Sequence, residues 1–486
     1  MTGGVPMPLH DDEMNRRREK REAQRKKQQA ESRRLKITLA LAAVVLVLAV
    51  LGIRKLVDTV DFQAPATQQV QEKPEPTTKP TEPPRRNEVN PITTIHIKAA
   101  GDLNITKNVV DAGLSANGYN YSRAFMDVAS ILADADLTVM NLEGNICGEP
   151  YGSETTSAPR ELLDGLRHAG VDLIQTANSC AINNGLIGMS ATLQAIRSAG
   201  MEPIGSFTNQ NELQESGGYT ITEVQGIKVA FVAFTKGVGG MGMPAGNEKL
   251  VNLLYTDYFS TYKEVDTEGI TRILKNVEAE KPDITIALLH WGSEYNDDIS
   301  STQKSIVSLM KKRGVDVIIG THPHMVQAIE HDVAAGTLVA YSLGDFFGDA
   351  SRAGTNYSII LDVEITKDAT TGITRVSDYD FTPIYTLKTT EVEGDENISR
   401  VVRIDKAMEA HDENFLDKIT KECYDSMAYS LLRIDQRVAV TMEVKCPECE
   451  RKVEVLVNKS GVLATGSKCI CGHLLPADSD ISKYKK

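Results

Sequence analysis

The sequence predicts a layered α/β fold, set between one membrane-spanning helix and a small cysteine-rich module. Three observations carry that expectation. Short apolar runs alternate with helical segments across residues 93–385, and several runs end in Gly, Asp, Glu, Asn or His. Residues 37–53 hold no charge and lie between basic flanks. Two cysteine pairs stand about twenty residues apart near the C-terminus.

With 486 residues the chain has length for about three domains, and its formal charge of −13 argues against nucleic acid as a partner of the bulk. The charge is uneven. Residues 16–36 are basic and helix-prone, running from Arg16-Arg17-Arg18 to Arg33-Arg34-Leu35-Lys36. The 17 uncharged residues that follow reach the lower edge of a bilayer span, and Lys36 and Arg54 can lengthen it by snorkelling. Basic residues before the span place the N-terminus in the cytoplasm and the main domain outside the cell. The expected order is a cytoplasmic tail at 1–36, an anchor at 37–57 and a linker at 58–92. A cleaved signal peptide is the rival reading, but the small-residue site Ala64-Pro65-Ala66 lies beyond a charged stretch. The basic tail either attracts anionic lipid or only sets topology. Residues 71–84 carry five prolines in a polar run, the composition of an extended spacer that buries no core.

From residue 92 the texture changes. Residues 93–99 alternate like a strand and run into Ala100-Gly101-Asp102. A helix at 121–132 precedes a strand at 135–141, which delivers Asn141 and Glu143 onto one face. A helix at 158–169 leads to the strand beginning at Leu173, which runs on to Asn178-Ser179-Cys180; 186–199 reads as helix and 201–204 as strand. Residues 218–224 and 227–234 form a hairpin around Gln225-Gly226. After a helix at 270–280, the apolar strand 283–289 ends in His290-Trp291-Gly292-Ser293-Glu294-Tyr295. A helix at 302–312 is followed by Val315, Val317, Ile318 and Ile319, a buried strand of parallel type that stops at Gly320. His322 and His324 come next, and Pro323 between them is expected to hold the segment extended. The strand at 338–346 has an acidic end, and antiparallel strands at 357–365 and 374–383 close the domain. Residues 395–432 read as largely helical, a packing arm or stalk within an extension at 391–440.

Each polar strand end has a plain reading as a turn or a buried, satisfied histidine. Their convergence on one sheet edge carries more weight. Asp102, Glu143, His290, His322 and His324 mix carboxylate with imidazole, a donor set that suits Zn, Mn or Fe. Two such ions roughly 3.5–4 Å apart can activate water and clamp an oxyanion.

The last 46 residues, 441–486, hold Cys446-Pro447-Glu448-Cys449 and Cys469-Ile470-Cys471-Gly472-His473. A module this small needs a staple to fold. The spacing resembles a zinc ribbon with Cys446, Cys449, Cys469 and Cys471 as ligands, and His473 as an alternative. Two disulfides are the rival, given the extracellular placement. Cys147 and Cys423 read as isolated cysteines.

Five stretches in order resemble the CapA family of bacterial poly-γ-glutamate capsule synthesis proteins. They are Ala100-Gly101-Asp102, Asn141-Leu142-Glu143, His290 to Tyr295, Gly320-Thr321-His322-Pro323-His324-Met325-Val326-Gln327, and Tyr341-Ser342-Leu343-Gly344-Asp345-Phe346. The resemblance implies a calcineurin-like metallophosphoesterase sandwich over 93–390. It also implies a membrane-anchored surface protein working on an anionic polymer, poly-γ-glutamate or a wall polymer, beside other capsule-synthesis membrane proteins. His290, Glu294 and Cys180 then become the candidate catalytic residues, and Asn141, Trp291 and Gln327 the substrate contacts. One motif departs from the family pattern: Ser179 stands where a metal-binding Asn is expected, Cys180 where a His is, and Asn183 where an Asp is. In related phosphoesterases the Asn–His pair supplies a metal ligand and a proton donor. The departure opens a second reading, a catalytically silent scaffold that binds polymer or protein.

Overall fold

Alternation in the strand Ile92–Asn104 places Ile95, Ile97 and Ala99 on one buried face. This strand organises the larger of the two main sheets in a computed structural model that describes residues 91–393, 399–413 and 419–484. The order is Arg400–Arg403, Thr374–Leu387, Tyr357–Asp368, Ile92–Asn104, Leu137–Glu143, Leu173–Gln175 and Glu202–Ile204, with Asp345–Phe347 paired in parallel onto Ile92–Asn104. The smaller sheet runs Ile329–Asp332, Thr337–Ala340, Val317–Thr321, Ile284–His290, Ile227–Thr235 and Thr220–Val224, and its four middle strands are parallel.

The sheets share one core, in which Ile95, Ile97 and Val363 meet Phe231, Ile286 and Ile318. The helix Thr267–Glu280 adds Ile270, Ile273, Leu274 and Val277, a helical apolar spacing. Asp266 caps its start by accepting from the Gly269 N–H, and Lys281 ends it in the left-handed region. The helix Ser301–Lys312 begins with a capping box between Ser300 and Gln303. Phe125 and Val128 of Ser122–Ala133 and Leu162 and Leu166 of Glu161–His168 form a second core with Leu103, Met140 and Ile174 of the larger sheet. The layered α/β expectation is met.

Four aspartates repeat one device at the sheet ends where the parallel strands begin. Asp136, Asp172, Asp283 and Asp316 each precede a strand and accept from a backbone N–H of the neighbouring one: His96, Thr138, Lys228 and Thr285, at 2.8–3.0 Å. Burial lifts the Asp316 carboxyl to about 6, against the downward pull of its bond from Thr285. The folded chain therefore binds this proton more tightly than the unfolded chain, whose Asp titrates near ~3.9. Stability from this group is complete below that value and is lost as pH rises through about 6. Asp316→Asn keeps an oxygen for the Thr285 N–H, and is expected to stabilise the protein at pH 7 by on the order of 2 kcal/mol. Urea unfolding at pH 7 and at pH 4 checks this, with the gain absent at the lower pH.

Two departures stand out. Arg400–Arg403, expected within a helical arm, is an edge strand, because Val401 and Val402 alternate into the two cores. The anchor at 37–57, with the tail and nearly all of the linker, lies outside the described residues; among those described, no helix is long and apolar enough to cross a membrane.

The C-terminal module is a hairpin of Val440–Lys445 and Lys452–Val457 around its own small core of Val444, Val455, Val457, Leu463, Leu475 and Ile481. Lys459 fastens it to the larger sheet, donating to the Tyr379 carbonyl, pairing with Asp378 at 3.1 Å and standing over the Tyr379 ring.

Candidate metal centre

Strands of both sheets end at one edge, as open α/β sheets do where they bind ligands. Asp102 lies on Ile92–Asn104, Glu143 ends Leu137–Glu143, His290 ends Ile284–His290, and His322 and His324 follow Val317–Thr321. All five are buried. Two glycines permit the convergence. A Cβ on Gly101 would fall 1.8 Å from the Gly344 carbonyl oxygen, and one on Gly320 would fall 1.9 Å from that of Tyr341.

The five side chains form two overlapping groups, Glu143 with His290 and His322, and Asp102 with Glu143 and His324. In the first, Glu143 Oε1 lies 3.3 Å from His290 Nε2, which is 3.1 Å from His322 Nδ1 and 3.2 Å from Ser179 Oγ. Ser179 also donates to Glu143. Donors held ~2.0–2.2 Å from a tetrahedral ion stand roughly 3.3–3.6 Å apart, close to this spacing. In the second group His324 Nδ1 is 3.7 Å from Asp102 Oδ2 and 2.7 Å from Asp345 Oδ1. Glu143 belongs to both groups, and its Oε2 is buried without a hydrogen-bond partner. An unpaired carboxylate oxygen in such a place is costly, and a cation satisfies it. The donor set would suit two divalent ions, with Glu143 able to serve both groups.

The electrostatics differ from one ligand candidate to the next. Burial and the nearby Glu143 raise the Asp102 carboxyl. Burial also opposes the charge on Glu143, yet His290 outweighs it and holds that carboxyl far below the usual range. Burial and the adjacent His290 lower the His322 imidazole, which leaves it neutral and able to ligate. Burial opposes charge on His324, but the hydrogen bond to Asp345 prevails and lifts it to about 10. A metal bound by His324 would displace that proton, so affinity would rise with pH.

The His-Pro-His segment is not extended as expected. His322 and His324 take φ of +89° and +58°. The bend aims the His322 N–H at Asp102 Oδ2, 2.9 Å away, and lets the Pro323 carbonyl accept from the Tyr295 N–H at 2.8 Å. Strained backbone of this kind gathers at functional sites.

Several site expectations change. Trp291 is fully buried, donates to the Tyr341 carbonyl at 2.9 Å and stacks on the Tyr341 ring. Gln327, also buried, donates to the Asn296 carbonyl at 2.9 Å. Neither lines the cleft over the site: Trp291 braces against Tyr341, and Gln327 holds the loop that carries Glu294. Asn141 is buried as well; it donates to Asp102 and accepts from Asn178 at 3.0 Å, which makes it a support for the ligands. Cys180 lines the cleft above the site, but burial and then Glu143 push its thiol far up. It stays protonated and does not replace an imidazole acid. Glu294 lines the same cleft, whose volume is about 600 Å³.

The residues missed by sequence reasoning are Asp345, the partner of His324, and Thr321, whose hydroxyl meets His290 Nδ1 at 3.1 Å; Ser179, singled out there as a departure, meets His290 Nε2 at 3.2 Å. Asp345 follows Gly344 just as Asp102 follows Gly101, so a signal for it existed.

A brace stands behind the loops. Arg437 of the helix Lys421–Val438, with a side chain only 9% exposed, donates to the Val326 carbonyl at 3.4 Å and pairs with Asp297. It ties the His-Pro-His loop to the Glu294 loop. Arg437→Ala is expected to cost about 1–3 kcal/mol and to weaken metal binding about tenfold with the fold intact. Urea unfolding and metal titration of the variant read both.

In the C-terminal module the Sγ atoms of Cys446 and Cys471 are 3.6 Å apart and those of Cys449 and Cys469 3.5 Å. All four thiols form one group, His473 is not among its members, and none is bonded to another. Tetrahedral Zn–S bonds of ~2.3 Å imply sulfur separations of roughly 3.8 Å, against ~2.05 Å for a disulfide. The arrangement fits a four-thiolate ion site.

The family described as Bacterial capsule synthesis protein PGA_cap matches residues 96–350. The PGA biosynthesis protein CapA of Bacillus subtilis (strain 168) is 28% identical over 211 residues, 43% of this chain and 51% of that protein. The Capsule biosynthesis protein CapA of Bacillus anthracis is 24% identical over 277 residues, 56% of this chain and 64% of that one. The matches thus span from half to just under two thirds of these relatives' length. Among solved structures, the calcineurin-like phosphoesterase YfkN from Bacillus subtilis aligns with a TM-score of 0.36 at 16% identity, over 60% of this chain and 91% of that one. A phosphatase from Mycoplasma pneumoniae aligns with a TM-score of 0.37 at 14% identity, over 60% and 94%.

Proposed function

Because the chain belongs to the PGA_cap family of bacterial capsule synthesis proteins, we propose that it synthesises, anchors or processes an anionic capsule or wall polymer such as poly-γ-glutamate, as a metal-dependent hydrolase. The observation that carries the reading is Glu143, shared by two carboxylate–imidazole groups on the floor of a cleft of about 600 Å³.

Asp102 and His324 would hold one ion, His290 and His322 the other, with Glu143 between and Ser179 in the position of a further donor. Two divalent ions, Mn, Fe or Zn, supply water activation and charge stabilisation when bound. The rest is the work of the chain. Thr321 and Asn141 crowd His290 Nδ1 at 3.1 and 3.4 Å, so that Nε2 faces the centre. Asn178 fixes Asn141, which fixes Asp102. Glu294, exposed on the cleft wall, would exchange a proton with a leaving group, the task that the Cys180 thiol does not serve.

The second reading, a silent binding scaffold, is favoured by one observation: Cys180 and Asn183 line the cleft and neither offers an ionisable group at neutral pH. We place the protein at the cell membrane, single-pass through 37–57, with the N-terminus cytoplasmic and the main domain outside, on the strength of the uncharged run and its basic flank. Other capsule-synthesis membrane proteins would then be its neighbours. Zinc is assigned to the C-terminal cysteines on their spacing. The experiment is hydrolysis of phosphodiester and γ-glutamyl oligomer substrates by the Mn-loaded chain and by His322→Ala. Turnover lost in the variant supports the hydrolase, whereas polymer binding without turnover supports the scaffold.

A further inference from the structure

The cleft over the metal centre is lined by four carboxylates, Glu143, Glu294, Asp345 and Asp349, and by a single Lys or Arg among the described residues, Arg352. Its guanidinium lies over the Tyr295 ring, 3.9 Å from the centroid. The Tyr295 ring in turn stacks on His324, with centroids 5.2 Å apart and planes 25° from parallel. A three-layer stack therefore runs from a candidate metal ligand outward to an exposed cation. The loop bearing Arg352 is seated on the same ligand loop, since a Cβ on Gly354 would fall 2.4 Å from the Met325 methyl. Stacking holds the guanidinium plane while leaving its edge donors open, the geometry that suits a carboxylate or phosphate.

We propose that Arg352, held on the Tyr295 ring, is the recognition residue for an oxyanion of the substrate as it enters the cleft. This deepens the hydrolase reading and rests on it. A polyanion approaching a carboxylate-lined cleft needs a fixed cation at the mouth, and Arg352 is the side chain that supplies one. The oxyanion belongs either to a phosphate ester or to the carboxylate of a γ-linked glutamate chain, and one experiment separates them.

The full chain, Mn-loaded, is titrated calorimetrically with inorganic phosphate and separately with a γ-glutamate oligomer, beside Arg352→Ala, Arg352→Lys and Tyr295→Leu. Metal content is measured on the same samples. Arg352→Ala is expected to weaken one of the two anions about ten- to a hundredfold at unchanged metal content. The anion that loses affinity names the source. Arg352→Lys, which keeps charge without the fork, recovers part of the loss, and Tyr295→Leu reproduces part of it. Wild-type affinity for both anions in Arg352→Ala, or no binding of either by the parent, overturns the proposal. A parent that takes up no Mn tells against the hydrolase reading instead, and the same Arg352 comparison is then decided on that metal-free chain.

Discussion

Glu143→Gln is expected to empty both metal positions of the main domain at once, with affinity lowered by at least about a hundredfold. Ligand sets that share no residue lose one ion per substitution, but here one carboxylate serves both groups. Gln keeps the shape, offers a single oxygen, and carries no charge to bridge two cations. The fold should survive, because Glu143 ends a strand whose pairing with Ile92–Asn104 is made by backbone. His322→Ala touches only the first group, so it should retain more metal than Glu143→Gln. Elemental analysis of the two variants and the parent, with circular dichroism as the control for folding, reads the difference directly.

Cys446→Ser is expected to unfold the C-terminal module while the main domain keeps its thermal transition. The module's core has six buried apolar side chains, too few to offset the entropy of ordering it. A structural zinc supplies roughly 10–16 kcal/mol in modules of this kind, so loss of one thiolate should be decisive. Limited proteolysis should then cut beyond residue 440, and a strong chelator should do the same to the parent. If a reductant opens the module and the chelator does not, disulfides hold it and the zinc assignment is wrong.

Much of the architecture was legible because local pattern and tertiary burial agree. The hairpin at Gln225-Gly226 was readable, and the two residues take φ of +48° and +79° as a tight reversal requires. The five ligand candidates were readable from their place at strand ends, since parallel strands of both sheets stop at one edge. Trp291 was misplaced for a reason that alternation already contains: it follows His290 and so faces the other way, into the core. Gln327 and Asn141 were assigned to substrate through the family resemblance, and only the fold shows their amides committed to backbone and ligand partners. The departure at Ser179 was visible, but that its hydroxyl reaches both Glu143 and His290 depends on how two sheets meet. Arg352 sits in a loop with no periodicity to read. The edge strand Arg400–Arg403 is short and charged at both ends, and its two valines are too few to set a period.

Anomalous diffraction from crystals of the Mn-loaded protein reads the metal centre itself. Two peaks about 3.5–4 Å apart are predicted, one beside His290 and His322 and one beside Asp102 and His324, with Glu143 between them. A well-ordered main domain with no peak at these five side chains would contradict the metal centre and leave the cleft a binding surface.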